Sequence, residues 1–309
     1  MSDKNPKLEI NLAGIRMKNP VMVASGTFGY GPEYADLVDL NRLGAIVVKG
    51  ISLEPWGGNR TPRMVEVPGG LLNAIGLQNP GVKGFIDNYM PFLRKHEVAV
   101  IVNIWGKTLE EYAEVAGRFD GVEGVHALEI NISCPNVKAG GSSFGINLDS
   151  TARVVAAVRA RTQLPIIPKL APNVSDIGAF ARTCVDNGAD ALSLINSFPA
   201  MAIDIETRRP ILANVSGGLS GPAIHPIAVK LVYEAARAVT VPLIALGGIM
   251  TARDAIEFMI AGASAVAVGT ANFTEPTTSL QVIDGISEYL ARQGMSDVKQ
   301  LVKSIRIQP

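Results

Sequence analysis

Eight short apolar runs, helical patterns between several of them and turn residues at or near their ends predict one fold class, a (β/α)8 TIM barrel. The runs occupy residues 21–26, 45–50, 98–105, 127–134, 165–172, 191–197, 242–248 and 265–270. Their continuous hydrophobicity suits parallel strands covered on both faces. The chain has 309 residues, 48% of them hydrophobic, enough for a sizeable core. The whole chain, 1–309, is expected to form a single domain. An open doubly wound sheet is the runner-up, but the GxGxxG that usually follows its first strand is missing.

The helical segments follow in order. "LEEYAEVAGRF" comes after the third run. "STARVVAAVRART" comes after the fourth, with Ser150 expected as its N-cap. "SDIGAFARTCVDNG" follows the fifth, with Ser175 or Asp176 as cap and Gly188 as stop signal. "TARDAIEFMIAGA" follows the seventh. Two long connections, 51–97 and 198–241, are rich in Gly, Pro and Asn. They follow the second and sixth strands, so they are expected as long loops over the C-terminal mouth of the barrel, functional or carrying small structure of their own. "LEINLAGIRMKNP" reads as an N-terminal hairpin capping the other end.

Composition excludes several function classes. Lys plus Arg and Asp plus Glu are both 28, so nothing global argues for nucleic acid or an anionic membrane surface. The N-terminus has no apolar signal core, and no apolar run approaches the roughly 18 residues that span a bilayer. A cytoplasmic location is expected. Cys134 and Cys184 lie 50 residues apart with no CxxC, too few thiols for a disulfide framework or a four-cysteine cluster. His96, His126 and His225 form no ligand-spaced group, so no metal site is expected.

In such a barrel, chemistry collects where the strands end. Lys49 ends the second strand, Asn103 the third, Asn131 and Cys134 the fourth, Lys169 the fifth, and Asn196 with Ser197 the sixth. A lysine inside an apolar strand is costly unless it meets an anion or a polar ligand, although an ordinary core ion pair would also satisfy it. Asparagine both donates and accepts, so Asn103 and Asn131 suit a flat heterocycle with alternating carbonyl and N–H groups. The last two strands differ. Gly247, Gly248, Gly269 and Thr270 can present bare backbone N–H groups, and the loops after strands seven and eight are a common phosphate site. "SGGLSG" at 216–221 adds a third glycine-rich lip. A phosphate on one side and a flat polar heterocycle across the mouth describe flavin mononucleotide (FMN), with Lys169 near N1/O2 stabilising the negative charge of reduced flavin.

These residues resemble the dihydroorotate dehydrogenases. "NISCPNVKAGG" followed by "FG" is similar to the active-site segment of the class 1 enzymes, specifically the class 1B catalytic subunit. "VVKGIS", "NAIGLQNPG", "PKLAPN", "LINS" and "ALGGIM…AVGTANF" match the same family in the same order, from about residue 7 to 305. The resemblance implies a TIM barrel that oxidises dihydroorotate to orotate in pyrimidine synthesis. It implies FMN contacts at Ser25, Lys49, Gly50, Asn103, Asn131, Lys169, Ile195, Gly221, Gly247, Gly248, Gly269 and Thr270. It implies substrate contacts at Lys49, Asn73, Ala74, Ile75, Gly76, Leu77, Asn131, Asn136, Asn196 and Ser197. It also implies a partner subunit bearing FAD and [2Fe–2S] that passes electrons to NAD⁺, with a homodimer of this chain inside a heterotetramer. Class 2 members carry Ser where Cys134 stands, plus an N-terminal membrane extension. Gly140–Gly141 and Phe144–Gly145 favour class 1B over class 1A.

The reaction removes a hydride from C6 and a proton from C5. Cys134 suits the proton: a thiol with pKa ~8.5 is partly ionised near neutrality, and a neighbouring positive charge lowers it further. Residues 135–145 begin at Pro135 and contain three glycines, the composition of a lid. Cys184, at helical spacing with Phe180, reads as packing. The alternatives are a fumarate-linked class 1A enzyme, a dihydropyrimidine dehydrogenase-type barrel, and a phosphosugar lyase or isomerase using Lys49 or Lys169 as a Schiff base.

Overall fold

The computed structural model describes residues 6–132 and 144–307. Its first element is a hairpin, β1 (Ile10–Leu12) and β2 (Ile15–Met17), paired antiparallel. Ala13 and Gly14 both have positive φ, as a two-residue turn matched to strand twist requires, and the Gly14 N–H donates to Asn11 Oδ1 at 2.7 Å. Ile10, Leu12, Ile15 and Met17 face inward while Asn11 and Arg16 face out. Met17 packs against Gly44, just before a barrel strand begins, so the hairpin covers the N-terminal end of the barrel.

The remaining strands follow in chain order. They begin with β3 (Val21–Val23) and β4 (Ala45–Ile51). The first excursion carries β5 (Met64–Val67) and β6 (Gly70–Asn73). Then come β7 (Ala99–Ile104), β8 (Ala127–Asn131), β9 (Ile166–Leu170) and β10 (Leu192–Leu194). The second excursion carries β11 (Phe198–Ala200), β12 (Ile203–Asp204), β13 (Arg209–Pro210) and β14 (Gly217–Ser220). The last two are β15 (Leu243–Ala245) and β16 (Ala265–Val268). Eight of these close a barrel in the order β10-β15-β16-β3-β4-β7-β8-β9, with all eight neighbouring pairs parallel. Each of the eight apolar runs supplies one barrel strand, and nearly every barrel residue is buried, as strands covered on both faces must be.

The helices are α1 (Gly81–Asn88), α2 (Met90–Leu93), α3 (Leu109–Phe119), α4 (Leu148–Arg159), α5 (Ile177–Asp186), α6 (His225–Ala238), α7 (Ala252–Ala261), α8 (Ala271–Thr274) and α9 (Thr278–Arg292). In α3 the sequence signals agree at every level. Thr108 caps it by accepting from Glu111 N–H, and Glu110 and Glu111 fill its first turn. Tyr112, Val115, Ala116 and Phe119 form the buried stripe at helical spacing. The N-cap of α4 is a correction: Asn147, not Ser150, caps it, because Asn147 has extended backbone and its Oδ1 accepts from Ser150 N–H at 3.0 Å. Asp176 caps α5, and Gly188 follows it at positive φ.

The two excursions are less irregular than their composition implies. The first carries a strand pair and α1–α2; the second ends in barrel helix α6. Their strands interleave into one sheet in the order β11-β14-β6-β5, with Asn73 opposite Gly218. Leu72, Ala74 and Leu212 form a small second core beneath it. The seam is tight: a Cβ on Gly218 would lie 2.0 Å from Ser197 Oγ. Cys184 is fully buried on α5, and burial pushes its thiol up to about 12, as expected of a packing cysteine. Among the described residues no helix is long and apolar enough to cross a membrane.

Candidate active site

A cavity of about 370 Å³ opens at the C-terminal ends of the barrel strands, within the size range of small-molecule sites. Its floor is built from side chains. Asn131 ends β8, while Asn103 and Lys169 each lie one residue before the end of their strands, β7 and β9. All three are buried, Lys169 at 4% exposure. Lys169 Nζ donates to Ser25 Oγ at 3.1 Å, and Asn103 Nδ2 lies 3.4 Å from the same oxygen. Asn196 Nδ2 donates to Asn131 Oδ1 at 3.3 Å, and Asn196 Oδ1 accepts from Ser197 N–H at 2.8 Å. From behind the barrel wall, Tyr112 of α3 donates its hydroxyl to the Asn131 carbonyl at 2.7 Å. The buried stripe of α3 thereby fixes the end of β8.

Lys49 lines the mouth at the end of β4. Burial lowers its pKa from the usual lysine value, the Arg63 guanidinium lowers it further, and Glu33 partly offsets both. A lysine held this way gains most from an arriving anion. Arg63, which lines the same mouth, donates to Gln78 Oε1 at 2.5 Å and Asn59 O at 3.3 Å.

Across the cavity the wall is backbone. Gly247 and Gly248 follow β15 with φ of 134° and 71°, conformations that side chains rarely adopt. A Cβ on Gly248 would lie 2.7 Å from His225 Cβ and 2.8 Å from Gly221 O. His225 holds this turn through Nδ1 at 3.0 Å from Gly247 O, with Nε2 3.2 Å from Glu257. Gly269, after β16, is different: a Cβ there meets only Ala24 at 3.7 Å and Thr27 at 3.9 Å, so its bareness keeps space open. Thr270 Oγ1 donates to Ser220 Oγ at 2.8 Å, joining the "SGGLSG" lip to this wall.

Every residue expected to touch a cofactor lines this one cavity. Of the expected substrate contacts, Lys49, Asn73, Ile75, Gly76, Leu77, Asn131, Asn196 and Ser197 line it too. Ala74 does not. Its side chain is fully buried in the second core, its N–H donates to Arg63 O and its carbonyl accepts from Asn59 Nδ2. Cys134, Asn136, Gly140 and Gly141 lie outside the described residues. Phe144, which is described, packs edge-on against Tyr112 with ring centroids 5.9 Å apart.

Sequence reasoning missed Glu129. It is 3% exposed on β8, accepts from Asn103 Nδ2 at 2.6 Å, and lies 3.7 Å from Lys169 Nζ. The core ion pair weighed for the strand lysines therefore exists at Lys169, while the same ammonium also lines the cavity. The signal was present: a glutamate inside "ALEINISC" is as costly as a lysine in an apolar strand.

The residues fit FMN on two counts. The Asn103 Oδ1 acceptor is buried with no hydrogen-bond partner among the described residues, beside a polar floor suited to a heterocycle. The bare Gly269 wall keeps a cradle that a side chain would fill. The dihydroorotate dehydrogenase family model matches residues 7–290. Proteins named dihydroorotate dehydrogenase B (NAD(+)), catalytic subunit, are among its relatives. That of Geotalea daltonii is 55% identical over 98% of this chain and 99% of its own. That of Geotalea uraniireducens is 55% identical over 97% and 98%, and that of Thermoanaerobacter pseudethanolicus 53% over 97% and 99%. With a family match across most of its length and relatives of this identity, the chain belongs to the dihydroorotate dehydrogenase family.

Proposed function

We propose that this chain oxidises (S)-dihydroorotate to orotate in pyrimidine synthesis, using FMN held in the cavity. The observation that carries this reading is the cavity's division into a polar side-chain floor and a bare glycine wall. FMN, when bound, supplies the acceptor for the hydride leaving C6. The chain's own residues do the rest. Ser25, Asn103, Asn131 and Lys169 would hold the ring, and Gly221, Gly247, Gly248, Gly269 and Thr270 its phosphate. Lys49 would pair with the substrate carboxylate, a role that suits an ammonium whose charge burial disfavours. Asn73, Asn131, Asn196 and Ser197 would orient the pyrimidine ring, and Asn136 is assigned to the same task. Cys134 Sγ would take the C5 proton.

Two cysteines are too few for a four-cysteine [2Fe–2S] cluster, so the reading assigns that cluster and FAD to a partner subunit that reduces NAD⁺. The relatives' names, which contain both "NAD(+)" and "catalytic subunit", support this division of labour. A homodimer of this chain would form the centre of a heterotetramer. Met201, Ile203 and Ile205 around the β12–β13 hairpin are exposed apolar residues that would favour such contacts.

The test begins with the purified chain, which should take up FMN and turn yellow. Dihydroorotate should bleach it and yield orotate. Cys134→Ala should keep both ligands but slow flavin reduction by about 10²–10⁴-fold; an unchanged rate across neutral pH would remove Cys134 as the base. NADH should form only after the partner subunit is added, and robust NADH formation by the chain alone would overturn the assigned electron exit.

A further inference from the structure

We infer that Glu129 is a positioning residue: it fixes which way Asn103 presents its amide and offsets the charge of Lys169. The inference rests on FMN occupying the cavity. Glu129 precedes Asn131 by two residues on β8, so the two side chains share the inward face of the strand. It does not line the cavity itself and must act through neighbours that do.

The first neighbour is Asn103. Glu129 Oε1 accepts from Asn103 Nδ2 at 2.6 Å. A carboxylate only accepts, so the Asn103 NH₂ must face Glu129 and its carbonyl oxygen must face elsewhere. That oxygen lies 2.8 Å from where a Cβ on Gly50, a cavity residue, would stand. It has no hydrogen-bond partner among the described residues, and Asn103 is 1% exposed. A buried acceptor left open costs stability until a donor arrives. The pyrimidine edge of an isoalloxazine ring carries one N–H between two carbonyl groups. Glu129 therefore makes Asn103 an acceptor for an N–H rather than a donor to a carbonyl.

The second neighbour is Lys169, whose Nζ lies 3.7 Å from Glu129 Oε1 while donating to Ser25 Oγ. Positive charge beside the ring favours reduced flavin, and a carboxylate at this distance diminishes it. Glu129 thus holds the flavin potential lower than Lys169 alone would set it.

The experiment is a reductive titration of the FMN-loaded chain against a reference dye, with FMN affinity and thermal melting measured alongside. Glu129→Gln should shift the oxidation–reduction equilibrium toward the reduced form by tenfold or more, ~30 mV positive for a two-electron couple. FMN affinity should fall, because a glutamine lets the Asn103 amide turn. An unchanged potential in folded, FMN-loaded Glu129→Gln would overturn the inference, even with a lowered melting temperature. If that variant does not fold, Glu129→Asp decides. It keeps the charge but withdraws the acceptor, so FMN binding should weaken several-fold with little change in potential; wild-type FMN affinity there would equally overturn the role. Failure of the wild-type chain to take up FMN would instead refute the cavity reading itself.

Discussion

The two walls of the cavity solve recognition by opposite means. The floor at β7, β8 and β9 uses side chains on regular strands: Asn103, Asn131 and Lys169 sit on ordinary backbone, and the network among them sets their geometry. The wall after β15 and β16 uses the backbone itself, with Gly247 and Gly248 at positive φ and Gly269 left bare. A floor of this kind fails when charge or hydrogen bonding is unbalanced. A wall of this kind fails when a Cβ is added. The difference predicts which substitutions damage the empty protein and which damage only its ligand binding.

The largest effect should come from unbalancing the floor. Lys169→Met leaves the Glu129 carboxylate buried without its counter-charge. Stability of the FMN-free chain should fall by about 3 kcal/mol, the low end for a broken buried pair because this one borders an open cavity. Denaturant unfolding checks this, and an unaltered midpoint would show that Glu129 is satisfied without Lys169.

The wall should behave differently at its two ends. At Gly269 a Cβ makes only ordinary contacts, so Gly269→Val should fill the cradle: FMN affinity should drop at least about tenfold (~1.4 kcal/mol) while the melting temperature of the FMN-free chain holds. Gly248→Val should lower both, since its Cβ meets His225 and the Gly221 carbonyl at positive φ. Equal melting temperatures for the two variants would erase the distinction between a bare wall and a strained one.

Lys49 sharpens the comparison by pH. Its folded pKa is depressed, so between that value and the unfolded value the unfolded chain holds the extra proton. Stability of the ligand-free chain should therefore rise as pH rises through this window. Orotate affinity should move the opposite way, falling as the ammonium is lost, and at lower pH than for an ordinary lysine. Orotate titrations across alkaline pH test this; Lys49→Arg should flatten the limb because arginine stays charged. The smallest effect belongs to Tyr112→Phe, which removes the hydroxyl bond to the Asn131 carbonyl and should cost about 1 kcal/mol in unfolding experiments.

The barrel was legible because its strands are apolar on both faces, and α3 because cap, charge and stripe coincide. Helix α6 was not. Its buried Ala228, Leu231, Val232, Ala235 and Ala236 keep helical spacing, but Pro222, Pro226 and the preceding glycines make the segment read as loop. Proline is tolerated in a first turn, where its missing N–H has no intrahelical acceptor. The β6–β14 pairing was hidden for another reason, since residues some 145 positions apart in sequence leave no local signal of contact. In the site, the polar residues at strand ends could be read one by one. Their wiring could not: Glu129 became visible only through its distances to Asn103 and Lys169. Ala74 was read with its neighbours in "NAIGL"; it directly follows β6, and its side chain packs into the small second core.

The sheet stitched from both excursions has a consequence for how such a mouth can be re-engineered. Asn73 pairs with Gly218, and Ser197 fills the space that a Cβ on Gly218 would need. Neither excursion is a self-contained module, because each presents half of a seam that the other completes. A chimera that imports residues 51–97 from a distant barrel while keeping 198–224 would bring together seam edges of different origin. Exchange of both segments together preserves the joint, so the smallest transplantable unit of this mouth is discontinuous in the chain.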